Sequence, residues 1–347
     1  MEIDFLLIGQ GLAGTALSYR LLKAGRKVLV MDLPHENQSS RIAAGLYNPI
    51  TGKKMVKTWK GDVLFPEIEP FYEQLEKELE INFLYKKAIY RPFLSIEEQN
   101  EWMGYSGEEG FQAYFQEIFQ QTHFPEVVNP YGGILLAQSG YLDIPTYLDT
   151  YRDYLIRLDA YREERYDEEF LMFTETGVRY KEINAKGIVY CNGLGTMGSK
   201  YFSNAPFAPV KGEILDIQQD FVPDEIINRG VFRIPLSNGN LRVGSTYTWH
   251  DLDSGPTERA KEEIFEKLDK LMVSNEKVLV AHRTGIRPAT KDRKPFLGKH
   301  PEFSSVYIFN GFGAKGVSLT PYFSKVMTDL LLNNQNPEKE VNISRWK

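Results

Sequence analysis

Apolar and polar residues change their period several times along this 347-residue chain, and each change predicts an element. Ile3 to Ile8 is a nearly continuous apolar run, the pattern of a strand buried on both faces of a parallel sheet. Leu12, Ala16, Tyr19, Leu21 and Leu22 then recur at helical spacing until Lys23-Ala24-Gly25, where a basic residue and a glycine supply a C-terminal stop. KVLVMD, Lys27 to Asp32, is a second apolar strand and completes a βαβ unit. From Val63 to about Gln121 the pattern turns to acidic, aromatic helices: FPEIEPFYEQLEKELE, SIEEQNEW with Ser95 and Glu98 as a capping box, and EEGFQAYFQEIFQ. A turn-rich piece with GGILLA follows, then a helix in PTYLDTYRDYLIRL with Pro145 in its first turn. Gly187 to Cys191 is another apolar strand, breaking at Asn192-Gly193-x-Gly195.

Between Val210 and Tyr247 the period shortens to strands with turn signals, KGEILDI, GVFRIPL and LRVGSTYTW, with Asn238-Gly239 as a hairpin turn. These predict an antiparallel sheet in a second domain. The helix TERAKEEIFEKLDKLM comes next, and the strand, glycine loop and helix of SSVYIFNGFGAKG and TPYFSKVMTDLLLNN end the sequence. The expected class is α/β: a discontinuous Rossmann-like domain plus a second α+β domain with an antiparallel sheet.

Composition narrows the function classes. The chain is 42% apolar and 25% charged, with no apolar stretch of membrane-spanning length and no basic leader before the first strand, so a cytoplasmic location is expected. A net charge of −6 argues against a nucleic-acid partner. The single Cys191 excludes an internal disulfide, and its place in an apolar strand reads as a buried thiol. His35, His123, His250, His282 and His300 have no ligand spacing, so no metal is expected. Nothing in the sequence fixes the oligomeric state.

The turn IGQGLAG joins the first strand to the first helix and carries the phosphate-binding pattern G-x-G-x-x-G. Gly9 permits the tight turn, Gly11 lets backbone approach a pyrophosphate, and Gly14 lets helix and strand pack closely. Asp32 ends the second strand, where a carboxylate accepts from ribose hydroxyls. The pattern reads as a dinucleotide cradle.

IGQGLAG with MD, SSRIAAGLYNP, IVYCNGLG, VKGEIL, LRVGSTY, GIRPATKDRKPFLG and IFNGFGAKGVSLTP occur in the order and spacing of the D-amino acid oxidase family of flavoproteins. The chain most resembles the glycine oxidase and sarcosine oxidase branch. It is also similar to the oxidase domain of a bifunctional bacterial tRNA-modification enzyme, above all in GFGAKG. The segment Val63 to Gln121 carries none of these motifs.

The resemblance implies non-covalent FAD, since members that bind flavin covalently use a C-terminal cysteine and this sequence has none there. FAD is also the longer dinucleotide, which a glycine loop at each end of the chain suits. It implies an FAD-binding domain over residues 1–62, 140–205 and 283–347, and a substrate domain over 63–139 and 206–282. Gly9, Gly11, Leu12, Ala13 and Gly14 are expected at the pyrophosphate, and Asp32 with Leu33 at the adenosine ribose. Ser39, Ser40, Arg41, Ala43, Ala44, Gly45 and Leu46 are expected along the phosphates and isoalloxazine. Asn192, Gly193 and Gly195 would border the adenosine half. Gly311, Phe312, Gly313, Ala314, Lys315, Gly316 and Val317 would lie at the pyrimidine edge.

The implied reaction is hydride removal from a carbon bearing an amine, on a small amine or amino acid. Arg287 in GIRPAT matches the family arginine that holds the substrate carboxylate, a task for a planar guanidinium. Phe232, aligned through Pro235, stands where glycine oxidases have a hydroxyl-donating tyrosine. Tyr247 would replace that donor and Lys315 supply charge; Phe232 and Tyr247 read equally as sheet packing. Tyr47 and Asn48 are weaker candidates for the same pocket. Two alternatives stay open: a tRNA-modification oxidase acting on a carboxymethylaminomethyl group, and a catalytically weak flavin-binding protein.

Overall fold

A computed structural model describes residues 1–33, 39–51 and 56–346. Glu2–Ile8 is the centre of a parallel sheet because its side chains from Phe5 to Ile8 are apolar on both faces, and Leu6 and Leu7 are fully buried. Val28–Asp32 pairs on one side of it and Ile183–Tyr190 on the other. Tyr161–Glu163 extends the sheet beyond Val28–Asp32, and Val306–Asn310 beyond Ile183–Tyr190, all in parallel. Ile183–Tyr190 forks: its first half pairs antiparallel with Gly177–Tyr180 and its second half parallel with Val306–Asn310. The carboxyl ends of five strands, at Ile8, Asp32, Glu163, Tyr190 and Asn310, therefore share one edge, where open α/β sheets bind ligands.

Helix Leu12–Lys23 packs beside helix Gly316–Asn333, so the two ends of the chain meet. Helix Gly61–Leu79 joins them, with Tyr72 donating to the Val317 carbonyl at 3.0 Å. Asp143 caps helix Ile144–Arg157 with Pro145 in its first turn, as the sequence predicts.

The second sheet has eight strands in the order Val278–Arg287, Val210–Gln218, Leu241–Gly244, Val231–Pro235, Ile226–Arg229, Ile89–Pro92, Gly133–Leu136 and Phe115–Phe119. Among these neighbours only Ile226–Arg229 and Ile89–Pro92 run parallel. The hairpin turn forms at Asn238-Gly239, with Gly239 left-handed at φ 83°. Helix Glu258–Leu271, capped by Thr257, covers one face through Ile264, Leu268 and Leu271. The edge strand Val278–Arg287 runs across residue 283, so this sheet itself carries Arg287.

Two expectations change. EEGFQAYFQEIFQ forms a short 3₁₀ turn, Gln112–Tyr114, and then strand Phe115–Phe119 instead of a helix. Its aromatic spacing suits a helix, but Gly133–Leu136 has an open edge whose backbone groups the segment satisfies, an outcome local periodicity does not register. In the capping box Ser95 accepts from the Glu98 amide, while the Glu98 carboxylate accepts from Leu94 and pairs with Arg229.

Candidate functional site

The nucleotide end is built from backbone. Gly9 has φ 101°, and a Cβ there would lie 2.7 Å from Asn192 Cα. At Gly14 a Cβ would lie 1.8 Å from the Gly9 carbonyl, so the turn closes only without one. Helix Leu12–Lys23 begins at Gly11 with no side-chain cap; its Leu12 amide donates to Ser40 Oγ at 3.3 Å. A Cβ on Gly316 would sit 2.7 Å from Leu12 Cδ1, so the N-terminus of helix Gly316–Asn333 meets that of Leu12–Lys23. Two partial positive charges converge there, an arrangement that calls for an anion.

The neighbouring loops are tied together by buried amides. Asn310 donates to the Gly193 carbonyl at 2.9 Å and to Thr196 Oγ at 2.7 Å, and Thr196 donates to Asn192 Oδ1 at 2.6 Å. Gly311 and Gly313 are left-handed, at φ 80° and 55°, and the Gly313 amide donates to the Pro288 carbonyl. Phe312 and Val317 turn their side chains into the core, so only their backbone is available to a ligand. Ala314 and Lys315 are exposed. Lys315 is open to solvent yet crowded by protein, as a side chain lining a cleft is; that burial, with Arg293 nearby, holds its ammonium below the usual lysine range.

Between the Rossmann-like and antiparallel sheets, Ser39–Ile42 forms a short helical turn whose Ile42 packs on Gly285. Gly45 is left-handed, and a Cβ there would meet the Leu142 carbonyl at 2.0 Å. Ala43 is exposed and Ala44 partly so, while Leu46 pairs with Tyr141 in a small sheet. These small residues and uncapped helix ends fit the diphosphate and ring of a dinucleotide.

Arg287 lies at the end of the edge strand, on the face shared with Gly212, Ile214, Gly244 and Phe232. Its guanidinium lies flat on Gly212, whose Cβ would fall 2.1–2.3 Å from it. Tyr247 covers the other side, its ring centroid 4.4 Å from Arg287 Cζ. The guanidinium donates to Ser245 Oγ at 2.9 Å and to the carbonyls of Thr246 and Lys211 at 3.3 and 3.4 Å. Among the described residues no carboxylate pairs with it. Burial holds its pKa below the usual arginine value, with Tyr247 opposing. A crowded guanidinium with only neutral acceptors is a ready partner for a carboxylate.

Phe232 rests over Gly244, with its ring 3.2 Å from where a Cβ would stand. Tyr247 is 55% exposed and meets Arg287 through its ring face, not its hydroxyl. Arg41 is engaged by Asp149 at 2.7 Å. Asp32 ends its strand beside Glu163, and Leu33 is exposed. Tyr47 is buried with its hydroxyl on Glu69, and the side-chain oxygen of buried Asn48 accepts from the Ile50 amide. Cys191 is buried, which pushes its thiol pKa far up. His123 stacks on Phe119, His282 lies against Glu213, His300 meets Tyr201, and His250 is exposed; His35 falls outside the described residues.

Sequence reasoning missed Gly212, Ser245, Asn310 and the charged side chains of KGEILDI. Asp216 accepts from Arg242 at 3.0 and 3.3 Å and from Arg283, on the same face as Arg287. Lys211 and Glu213 are buried on the opposite face. Charges set at alternate positions of an otherwise apolar strand were the available signal.

The DAO family, described as FAD dependent oxidoreductase, matches residues 4–330. The glycine oxidase of Bacillus subtilis (strain 168) is 29% identical over 184 residues, which span 52% of this chain and 47% of that protein. The chain thus matches about half the length of this relative. A tRNA 5-methylaminomethyl-2-thiouridine biosynthesis bifunctional protein of Leptospira interrogans is 25% identical over 48% of this chain and 31% of its own length. The crystal structure of glycine oxidase from Geobacillus kaustophilus superposes with a TM-score of 0.77 at 19% identity, covering 97% of this chain and 96% of that one, and so shares the fold. No helix among the described residues is long and apolar enough to cross a membrane.

Proposed function

Because the chain belongs to the DAO family of FAD-dependent oxidoreductases, we propose that it oxidises the C–N bond of a small amine or amino acid bearing a carboxylate. The observation that carries this reading is Arg287: a crowded guanidinium on Gly212 with no carboxylate partner among the described residues. The chemistry FAD supplies when bound is acceptance of a hydride equivalent from the amine-bearing carbon, and water hydrolyses the resulting imine.

Gly9, Gly11, Leu12, Ala13 and Gly14 would hold the pyrophosphate with helix-end amides, and Asp32 the ribose. Ser39, Ser40, Arg41, Ala43 to Leu46, Asn192, Gly193, Gly195 and Gly311 to Val317 would line the remaining length, with the Lys315 cation at the pyrimidine edge. This assigns cofactor to the first sheet and substrate to the second. Arg287 binds and orients the substrate carboxylate in a two-point contact. Tyr247 shields that contact from water and keeps the guanidinium flat. Phe232 offers an apolar wall where a hydroxyl would add a second donor, which favours a substrate that needs none at that point. No side-chain base is required: the amine reacts neutral, its proton going to solvent. A cytoplasmic location belongs to the same proposal.

The test is anaerobic incubation of the yellow holoenzyme with amino acids and N-substituted glycines, following flavin absorbance. Bleaching by a carboxylate-bearing amine is expected, and Arg287→Ala should weaken half-saturation by about a hundredfold. Unchanged half-saturation in that variant refutes the role of Arg287.

A second reading follows from the tRNA-modifying relative: the same chemistry on a carboxymethylaminomethyl group of tRNA. It requires salt-dependent tRNA binding, which a net charge of −6 disfavours and a gel shift measures. Failure of every amine to bleach the flavin would favour a binding protein without turnover.

A further inference from the structure

Tyr247 and Ser245, which cap Arg287, sit on a strap running from Ser245 to Thr257. Almost nothing apolar anchors this strap: Tyr247 is 55% exposed and Trp249 59%, and Thr246 alone within it is buried. Polar ties hold it instead, and apart from those that Arg287 itself makes to Ser245 and Thr246 they come from two residues. Lys211 and Thr248 exchange backbone hydrogen bonds of 2.8 and 3.0 Å. The Glu213 amide donates to Thr246 Oγ at 3.0 Å. Lys211 Nζ donates to Ser254 Oγ at 2.7 Å, and the Glu213 carboxylate accepts from the Thr257 amide at 2.7 Å and its hydroxyl at 2.9 Å. Behind the sheet the two charges pair at 3.2 Å with 2% and 3% of their side chains exposed. His282 Nε2 stands 2.8 Å from Glu213 without hydrogen-bonding alignment.

We propose that Lys211 and Glu213 are positioning residues, a buried charge clip that fixes the strap so that Tyr247 and Ser245 hold Arg287 in its carboxylate-binding pose. The inference rests on the reading of Arg287 given above. The alternation of the strand supplies the geometry: Gly212 faces the guanidinium, while Lys211 and Glu213 on either side of it face the opposite way. The next two residues on that rear face, Leu215 and Ile217, are apolar and lie in the core cluster with helix Glu258–Leu271. Positions 211 and 213 break the pattern, and their side-chain hydrogen bonds go to the strap. An apolar pair would fill the same space and leave the strap free. A buried ion pair is costly to desolvate, so its use here points to orientation and not to packing alone.

The probe is acetate, with binding read from perturbation of flavin absorbance in the holoenzyme, alongside hydrogen exchange of peptides spanning 245–257. In Glu213→Gln, exchange in those peptides should rise at least about tenfold and acetate binding weaken about tenfold, as loss of a charge-assisted hydrogen bond implies. Peptides of the parallel sheet should not change. Ser254→Ala with Thr257→Ala removes the two hydroxyl ties from the strap's side, keeping the Thr257 amide, and should shift both readouts in the same direction even if the buried variant folds poorly. Unchanged strap exchange, or faster exchange with acetate binding intact, overturns the clip. Arg287→Lys separates the two ideas. If it leaves acetate binding unaltered, the carboxylate reading itself falls; if it weakens binding while both clip variants do not, only the clip falls.

Discussion

The two regions proposed to hold cofactor and substrate are made of different material. At the edge of the parallel sheet, the contacts offered are backbone: Gly9, Gly11 and Gly14, the left-handed Gly311 and Gly313, and two helix ends meeting at Leu12 and Gly316. On the face of the antiparallel sheet they are side chains: Arg287, Tyr247, Phe232 and the cluster of Asp216, Arg242 and Arg283. A diphosphate is bound by amides that the helix already orients, so the first region needs only the absence of Cβ atoms. A guanidinium has several rotatable bonds and must be held from outside. The second region therefore carries supporting layers, with Gly212 beneath Arg287, Tyr247 above it and Lys211 with Glu213 behind. The difference teaches where each region should break: the first by adding atoms, the second by removing supports.

The largest effect is expected at Gly14. An added methyl would lie 1.8 Å from the Gly9 carbonyl oxygen, a backbone atom, so the turn itself would have to shift. Gly14→Ala should cost about 3 kcal/mol of stability, the upper part of the usual overpacking range, and empty the protein of flavin. Urea unfolding and the flavin-to-protein absorbance ratio measure both, and a fully loaded, equally stable variant would erase the contrast.

Gly212→Ala comes next and sharpens the comparison, because it moves Arg287 without altering it. The new methyl would lie 2.1–2.3 Å from the guanidinium, so that group must swing away. KM for a carboxylate-bearing amine should rise about thirtyfold, equivalent to about 2 kcal/mol, with flavin content unchanged. A loss of flavin together with substrate would mean that the two regions are not separable.

The smallest effect concerns pH. Burial first, and Arg293 second, hold the Lys315 ammonium below its ordinary value, so it loses its charge earlier as pH rises. If that charge assists flavin reduction, the rate should fall along an alkaline limb lying below the usual lysine value of about 10.4. Arg293→Ala removes the like charge and should move the limb upward, though only partly, since burial remains. Lys315→Arg should remove it from the accessible range. Stopped-flow reduction across pH distinguishes these outcomes.

The sequence by itself determined most of the first region. The apolar run Ile3 to Ile8, the glycine spacing behind it and the helix that follows are local, and each is fixed by sterics within a few residues of itself. The motif around Arg287 singled that residue out for the proposed role, and the structure sets it at the end of strand Val278–Arg287. Only the tertiary structure decided the rest. Phe115–Phe119 became a strand because the edge of the following strand, Gly133–Leu136, required pairing. Arg41 was taken by Asp149 and Tyr47 by Glu69, partners more than twenty residues away or across the fold. Gly212 acquired its role from the register that sets Val210 opposite Arg287, and Lys211 and Glu213 from a strap some forty residues further on. Backbone sterics act at short range along the chain, whereas a side chain's charge is satisfied by whatever the fold brings within about 3 Å of it, and that is why glycines could be assigned from sequence while the supports of a guanidinium could not.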